Sequence, residues 1–271
     1  MRPDSRGAIG VFDSGVGGLT VLKALMRRLP GESTLYLGDT ARVPYGTKSP
    51  EVVTLYSIKN AEFLLERGIK LLVVACNTAS SVALPELEAH LRVPVLGVIA
   101  PGARAAAAKS RSGKIGVIGT PGTIRSGAYQ RELQAARPDV QVSARACPMF
   151  VPLAEEGWVT GDVPRLVARE YLAPLVATGV DTLVLGCTHY PLLRDVIAEV
   201  MGPGVALVDS AEATAEAVAA VLASKGALEA ESRAAEHRYF VTDVPERFMD
   251  VGAKFLGQPL SGAEHVDVSF G

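Results

Sequence analysis

Residues 68–80 read GIKLLVVACNTAS, and residues 179–191 read GVDTLVLGCTHYP. Each segment is a glycine, an apolar β-rich run, a small residue, a cysteine and a polar pair containing threonine. The second begins 111 residues after the first. A further echo, Ile115-Gly116-Val117-Ile118-Gly119-Thr120 after Ile9-Gly10-Val11-Phe12-Asp13-Ser14, is offset by 106. Two separate alignments at nearly the same spacing imply a duplicated unit. Whatever the first half folds into, the second must repeat, with Cys76 and Cys187 in equivalent places.

Short β-branched runs alternate with longer amphipathic ones, the pattern of an α/β protein with parallel sheets. The first half predicts strands at 8–13, 34–38, 70–75 and 94–98, with helices at 18–29, 50–67 and 79–91, and Pro101-Gly102 closing it. Ser49-Pro50-Glu51 is a helix start, with Ser as N-cap and Pro in the first turn. The second half predicts a strand from Ile115, further strands at 140–145 and 181–186, and helices at 122–136, 162–178 and 190–201. A tail follows, with strands at 205–208, 237–242 and 264–268 and helices at 211–225 and 245–256. Asp243 and Glu246 have capping-box spacing around Pro245. No low-complexity linker separates the halves. The expected fold is therefore two pseudo-symmetric parallel-sheet α/β domains with the active site in the cleft between them. Residues 1–98 plus 210–271 form the first domain and 99–209 the second.

With 48% hydrophobic residues among 271, a sizeable core is available, and a net charge of −2 offers no polyanion-binding surface. Nucleic acid is not an expected partner. Apolar runs fall short of the roughly 20 residues needed to span a bilayer. The start of the chain has no apolar stretch of signal-peptide type, so a cytoplasmic protein without membrane association is expected. Three widely separated cysteines do not make a disulfide framework.

Ligands of parallel α/β sheets bind beyond the carboxyl ends of strands, and each polar cluster here falls at such an end: Asp13-Ser14-Gly15, Cys76-Asn77-Thr78, Thr120 to Thr123, and Cys187-Thr188-His189. A pseudo-two-fold would turn both sets toward one cleft, with one cysteine on each wall. A cysteine just before a helix feels the positive end of its dipole, which favours the thiolate and lowers its pKa. A lone cysteine is more often a small buried core residue. Matched positions and polar neighbours favour function for Cys76 and Cys187, whereas Cys147, without a counterpart in the repeat, reads as structural. Asp13 is either a helix N-cap, an anchor for a substrate ammonium or a proton partner for Cys76. His189, on the first turn of the next helix, can tune Cys187 or donate a proton. The glycines after Asp13 lack the lysine and spacing of a P-loop. A zinc reading of Cys187, His189 and Cys76 lacks a fourth ligand, since His90, His237 and His265 lie in unhelpful contexts. The loop Arg42-Val43-Pro44-Tyr45-Gly46 offers backbone amides for a carboxylate, or is a plain turn. A lining of Asn77, Thr78, Thr120, Thr123 and Thr188 suits a small zwitterion with two carboxylates.

Several blocks together resemble the glutamate racemases of the cofactor-independent aspartate/glutamate racemase superfamily. They are GVFDSGVGGLTV at 10–21, GDTARVPYGTKS at 38–49, VVACNTAS at 73–80, IGVIGTPGTI at 115–124, CPMFVPLAEEG at 147–157, LGCTHYPLL at 185–193 and VTDVPERF at 241–248. The resemblance implies interconversion of L- and D-glutamate for peptidoglycan precursors, without pyridoxal phosphate or metal, by a cytoplasmic homodimer. It makes Cys76 and Cys187 the acid/base pair, with Asp13 partnering Cys76. His189 and Glu155 partner Cys187, with the adjacent Glu156 as the alternative to Glu155. Asp13, Ser14, Pro44, Tyr45, Gly46, Asn77, Thr78, Thr120, Thr123, Thr188 and His189 would line the glutamate site. There is no long N-terminal extension of the kind linked to precursor activation in some members, so that regulation is not expected.

The chemistry agrees. Racemisation removes a Cα proton from one face and delivers one to the other, so one thiolate accepts while the opposing thiol donates. The rival readings are an aspartate or hydantoin racemase of the same superfamily, which a substrate panel separates, and a dicarboxylic amino-acid binding module, which has no need of paired thiols.

Overall fold

The computed structural model describes residues 7–268; residues 1–6 and 269–271, at the ends of the expected first domain, lie outside the described residues. Strands β1 (Ala8–Asp13), β2 (Thr34–Gly38), β3 (Ile69–Val74) and β4 (Val95–Gly97) alternate with helices α1 (Leu19–Arg28), α2 (Pro50–Glu66), α3 (Asn77–Val82) and α4 (Leu84–His90). After α5 (Ile99–Lys109) the pattern restarts with β5 (Lys114–Gly119), α6 (Pro121–Ser126), α7 (Ala128–Ala136) and β6 (Gln141–Ala146). It continues through α8 (Phe150–Glu156), α9 (Asp162–Ala177), β7 (Thr182–Gly186), α10 (Arg194–Met201) and β8 (Ala206–Val208). The tail supplies α11 (Ala211–Ser224), β9 (His237–Val241), α12 (Pro245–Leu256) and β10 (Glu264–His265).

Two sheets result, and every pairing in them is parallel. The first runs β10-β9-β2-β1-β3-β4 and the second β6-β5-β7-β8. The order β2-β1-β3-β4 recurs as β6-β5-β7-β8, so the repeat in sequence is a repeat in topology. Strands covered on both faces need apolar residues at every position. Accordingly β2, inside its sheet, is buried throughout. Its counterpart β6 lies at an edge, reads QVSARA and is half-exposed. The difference follows from the tail, since β9 pairs with the outer edge of β2 and, among the described residues, no strand pairs with the outer edge of β6.

The chain crosses between the sheets after β4 and returns after β8. Helix α5 packs on β7 and α7, and α11 packs on both α1 and α5. One apolar core therefore runs through both halves, from Ile9 and Val11 of β1 to Val117 of β5 and Val184 of β7. A second core, including Phe12, Leu72 and Val74, fills the other face of the first sheet. Full burial of each such side chain contributes about 1.5–3 kcal/mol, which fixes the strand ends that carry the polar clusters.

Several local expectations are corrected. The helix expected over 79–91 is two, α3 and α4, because Pro85 lacks the N–H that a continuous helix requires. The helix expected over 122–136 breaks at Gly127, whose φ of 66° belongs to the left-handed region. Pro101 and Gly102 do not close the first half. They lie inside α5, where Pro101 falls in the first turn and its missing N–H costs nothing. The capping box at Asp243 and Glu246 does not form. Val244 is the N-cap of α12, with no side-chain cap, and Asp243 instead exchanges backbone hydrogen bonds with Thr40 Oγ1. Ser49 does cap α2, accepting from Val52 N.

Candidate active site

The carboxyl ends of β1 and β3 face those of β5 and β7 across a narrow cavity of about 20 Å³. On the first wall, Cys76 is the N-cap residue of α3 and is buried. Its Sγ lies 3.7 Å from Ser14 Oγ. Asp13, at the end of β1, is fully buried; its Oδ2 accepts from Gly15 N at 3.0 Å and its Oδ1 from Thr188 Oγ1 at 3.4 Å. Tyr36 donates to Gly15 O at 2.8 Å and steadies this turn.

On the second wall, Cys187 Sγ lies 3.9 Å from His189 Nδ1. His189 Nε2 donates to Glu155 Oε1 at 3.0 Å, and the ring packs edge-on against Phe255. The α-helix expected to start at 190 begins at Arg194; Tyr190–Leu193 form a tighter 3-10 turn, and His189 is the N-cap of that turn. Cys187 therefore does not sit at an α-helix N-terminus, as Cys76 does. Gly17 brings the walls into contact, because a Cβ there would fall 2.3 Å from Thr188 Oγ1 and 2.6 Å from His189 Nδ1.

The electrostatics of the two walls differ. Burial, reinforced by the Asp13 carboxylate, pushes the Cys76 thiol up to about 12. This corrects the expected lowering: hydrogen bonds from the start of α3 and from Ser14 act in that direction but are outweighed. Burial also raises Asp13, against the opposing pull of the His189 charge. For His189 burial favours the neutral ring, yet hydrogen bonds to Cys187 and Glu155 prevail and raise it to about 10. Burial would raise Glu155, but its bond to His189 leaves it lowered. At neutral pH the pair is an imidazolium held by a carboxylate, with the ring directed at Cys187.

Of the residues singled out in the sequence, Ser14, Pro44, Tyr45, Gly46, Cys76, Asn77, Thr78, Thr120, Cys187, Thr188 and His189 line this one cavity. Thr123 adjoins it: the hydroxyls of Thr78, Thr120 and Thr123 form a triangle with sides of 2.9, 3.2 and 3.1 Å that bridges the halves. Asp13 stands behind Thr188, and Glu155 behind His189. Glu156 turns outward to Arg247 at 3.3 Å. Cys147 is buried away from the cavity, with Sγ 3.7 Å from Arg145 O. His90 pairs with Glu62 and His237 with Thr34, both away from the site. Among the described residues no group of three or more His, Cys, Asp or Glu is placed to hold a metal ion. Nor is any helix long and apolar enough to cross a membrane.

Sequence reasoning missed Val151, Asp39 and Tyr129, and named Val43 only as part of its loop. Val43 and Val151 line the cavity as apolar wall. Asp39, fully buried at the end of β2, accepts from Tyr45 Oη, from Arg42 Nη1 at 3.3 Å and from Thr242 Oγ1 at 3.0 Å, and so ties the Pro44-Tyr45-Gly46 loop to the first sheet. Asp39 lies within the block GDTARVPYGTKS, which was its only signal. Tyr129 had none.

The candidate site is thus a buried cavity between two like halves, with a thiol on each wall and neutral donors between them. The Asp/Glu/Hydantoin racemase family model matches residues 9–218, and the chain belongs to that family. Within it the chain stands among the glutamate racemases, which are isomerases. The glutamate racemase of Geobacter metallireducens (strain ATCC 53774 / DSM 7210 / GS-15) is 60% identical over 261 residues, covering 96% of this chain and 97% of that protein. The glutamate racemase of Syntrophus aciditrophicus (strain SB) is 53% identical, covering 96% of each. The crystal structure of glutamate racemase from Francisella tularensis subsp. tularensis SCHU S4 in complex with D-glutamate superposes with a TM-score of 0.91. It is 37% identical and covers 98% of this chain and 99% of that one.

Proposed function

We propose that the protein interconverts L- and D-glutamate by moving the Cα proton between Cys76 and Cys187, with no cofactor. The observation that carries this reading is the placement of both sulfurs on one cavity, each at the end of an equivalent strand. The thiolate of one cysteine removes the proton from one face of Cα, and the thiol of the other delivers a proton to the opposite face. The bond order at carbon is restored, and the two cysteines have exchanged protonation states. Asn77, the threonine hydroxyls and the amides of the Pro44-Tyr45-Gly46 loop hold the two carboxylates. In a site that excludes water, these fixed dipoles stabilise the carbanionic transition state.

A cavity of about 20 Å³ holds little more than one water. Entry of an amino acid therefore requires the halves to part, breaking the Thr78–Thr120–Thr123 triangle, and closure re-forms the site around the substrate. We read 1–98 with 210–271 as one moving domain and 99–209 as the other, in keeping with the strand membership of the two sheets. The resemblance further supports a cytoplasmic homodimer that supplies D-glutamate for peptidoglycan precursors.

Incubation with L-glutamate in heavy water tests the reading. The circular dichroism signal is expected to decay to zero while the Cα proton is replaced by deuterium, with thiols reduced and nothing added. If neither changes, the reading is wrong. A panel with aspartate and hydantoins checks the substrate.

A further inference from the structure

We propose that Tyr129 is a positioning residue that fixes the Asn77 side chain with its N–H groups toward the substrate carboxylate. The proposal rests on the reading above, in which Asn77 binds substrate. Tyr129 lies on α7 in the second half and is 1% exposed. Its hydroxyl crosses to the first half and donates to Asn77 Oδ1 at 2.7 Å. Asn77 directly follows Cys76, is 3% exposed and lines the cavity. Its Nδ2 is buried and has no partner among the described residues. A buried amide N–H without a partner is costly, and a carboxylate in the cavity supplies the acceptor.

The orientation of the amide follows from the direction of this hydrogen bond. With the phenol donating to Oδ1, Asn77 must present its oxygen to Tyr129 and its N–H groups to the cavity. A flipped amide would turn an acceptor toward the carboxylate and repel it. Removing the phenol proton frees the amide to rotate, because either end of the side chain then fits equally well.

The location makes this more than a packing contact. Gly186, which precedes Cys187, lies against the Tyr129 ring; a Cβ there would come within 3.0 Å of Cε2. A Cβ at Gly102, early in α5, would lie 3.5 Å from the Tyr129 hydroxyl and 3.0 Å from Ser210 Cβ. Gly102 follows the first chain crossing, and Ser210 lies at the second. Tyr129 thus lies against the strand end that carries Cys187 and beside the first crossing, and it bonds the residue next to Cys76.

The test measures D-glutamate affinity by calorimetry, and KM and kcat for L-glutamate, in the wild type, Tyr129→Phe, Asn77→Ala and the double variant. Losing the orienting bond is expected to raise KM and the dissociation constant about tenfold, with kcat within about twofold. In the Asn77→Ala background the Tyr129→Phe change is expected to have no further effect. Unaltered affinity in Tyr129→Phe, or losses that add in full in the double variant, would overturn the proposal. A structural defect alone would lower kcat and the thermal midpoint and would be additive. Should Tyr129→Phe fail to fold, a crystal structure of the wild type with D-glutamate serves instead: Asn77 Nδ2 is expected within hydrogen-bond distance of a carboxylate oxygen, and a carboxylate that does not meet Nδ2 counts against the proposal. A wild type that binds glutamate and shows this coupling but exchanges no Cα proton would sink the two-thiol reading and leave the positioning role standing.

Discussion

Cys76 and Cys187 end the third strands of two sheets with the same four-strand order. Beside Cys76 stands a buried carboxylate, Asp13, and the thiol rises to about 12. Opposite Cys187 stands an imidazole that rises to about 10 and is held by Glu155. Duplication sets where the sulfurs lie, and the residues that differ between the copies set where the proton rests. At neutral pH Cys76 keeps its proton while a positive charge faces Cys187. The two walls therefore differ in charge although they match in position. Asp13 also belongs to both walls, since its Oδ1 accepts from Thr188. It raises the Cys76 thiol and is itself drawn down by the His189 charge, so these titrations are coupled.

Replacing either sulfur is the strongest way to break the comparison. Cys76→Ser and Cys187→Ser are each expected to lower racemisation by about 10³-fold or more, because a serine hydroxyl neither donates nor accepts the Cα proton as a thiol does. Rates followed by circular dichroism from both enantiomers check this. If one variant keeps full activity, the walls are not functionally paired.

Changing the partners rather than the sulfurs separates the walls. Asp13→Asn and His189→Asn are each expected to cost about 10²-fold, with opposite movements of the pH profile. Removing the Asp13 anion takes away one cause that holds Cys76 up, so the limb governed by that thiol moves to lower pH. Removing the His189 cation moves the dependence to higher pH. Stability carries a matching signature. His189 holds its proton more tightly folded than unfolded, so its contribution is complete below its ordinary value of 6.5 and is lost as pH rises through about 10. Thermal midpoints measured between pH 6.5 and 10 should fall more steeply in the wild type than in His189→Asn. Parallel slopes would mean that the imidazolium is not held by the fold.

The strands and the repeat were legible because period and composition carry them; most expected strands fall within a residue of those observed. The site was legible for a related reason, since strand ends of parallel sheets gather ligands and the family blocks lie at those ends. What escaped was decided by non-local packing. The split of α3 from α4 has a local cause, Pro85. The raised Cys76 thiol had none, because it depends on burial and on a carboxylate 63 positions earlier in the chain. Tyr129 follows Gly127 in a stretch with no chemical motif, and only folding brings its hydroxyl to Asn77. Asp39 sat inside a matched block, but a buried carboxylate looks in sequence like any turn aspartate.

The finest comparison is between two adjacent glutamates on α8. Glu155 faces inward, with its side chain 22% exposed and 3.0 Å from His189. Glu156, one residue on, is 64% exposed and pairs at the surface with Arg247. Successive helical positions point about 100° apart, so only one of the two can reach the ring. Glu155→Gln keeps the shape but removes the charge that helps hold the imidazolium, and a loss of about tenfold in kcat is expected. The dependence on His189 protonation should move down from about 10 toward its ordinary value, since a cause that raises it is gone. Glu156→Gln removes only an exposed ion pair, worth roughly 0–1 kcal/mol, and should leave kcat and KM within about twofold. Equal losses in the two variants would mean that the charge of α8 as a whole acts on the cleft, and that the contrast between the walls does not depend on a single carboxylate behind His189.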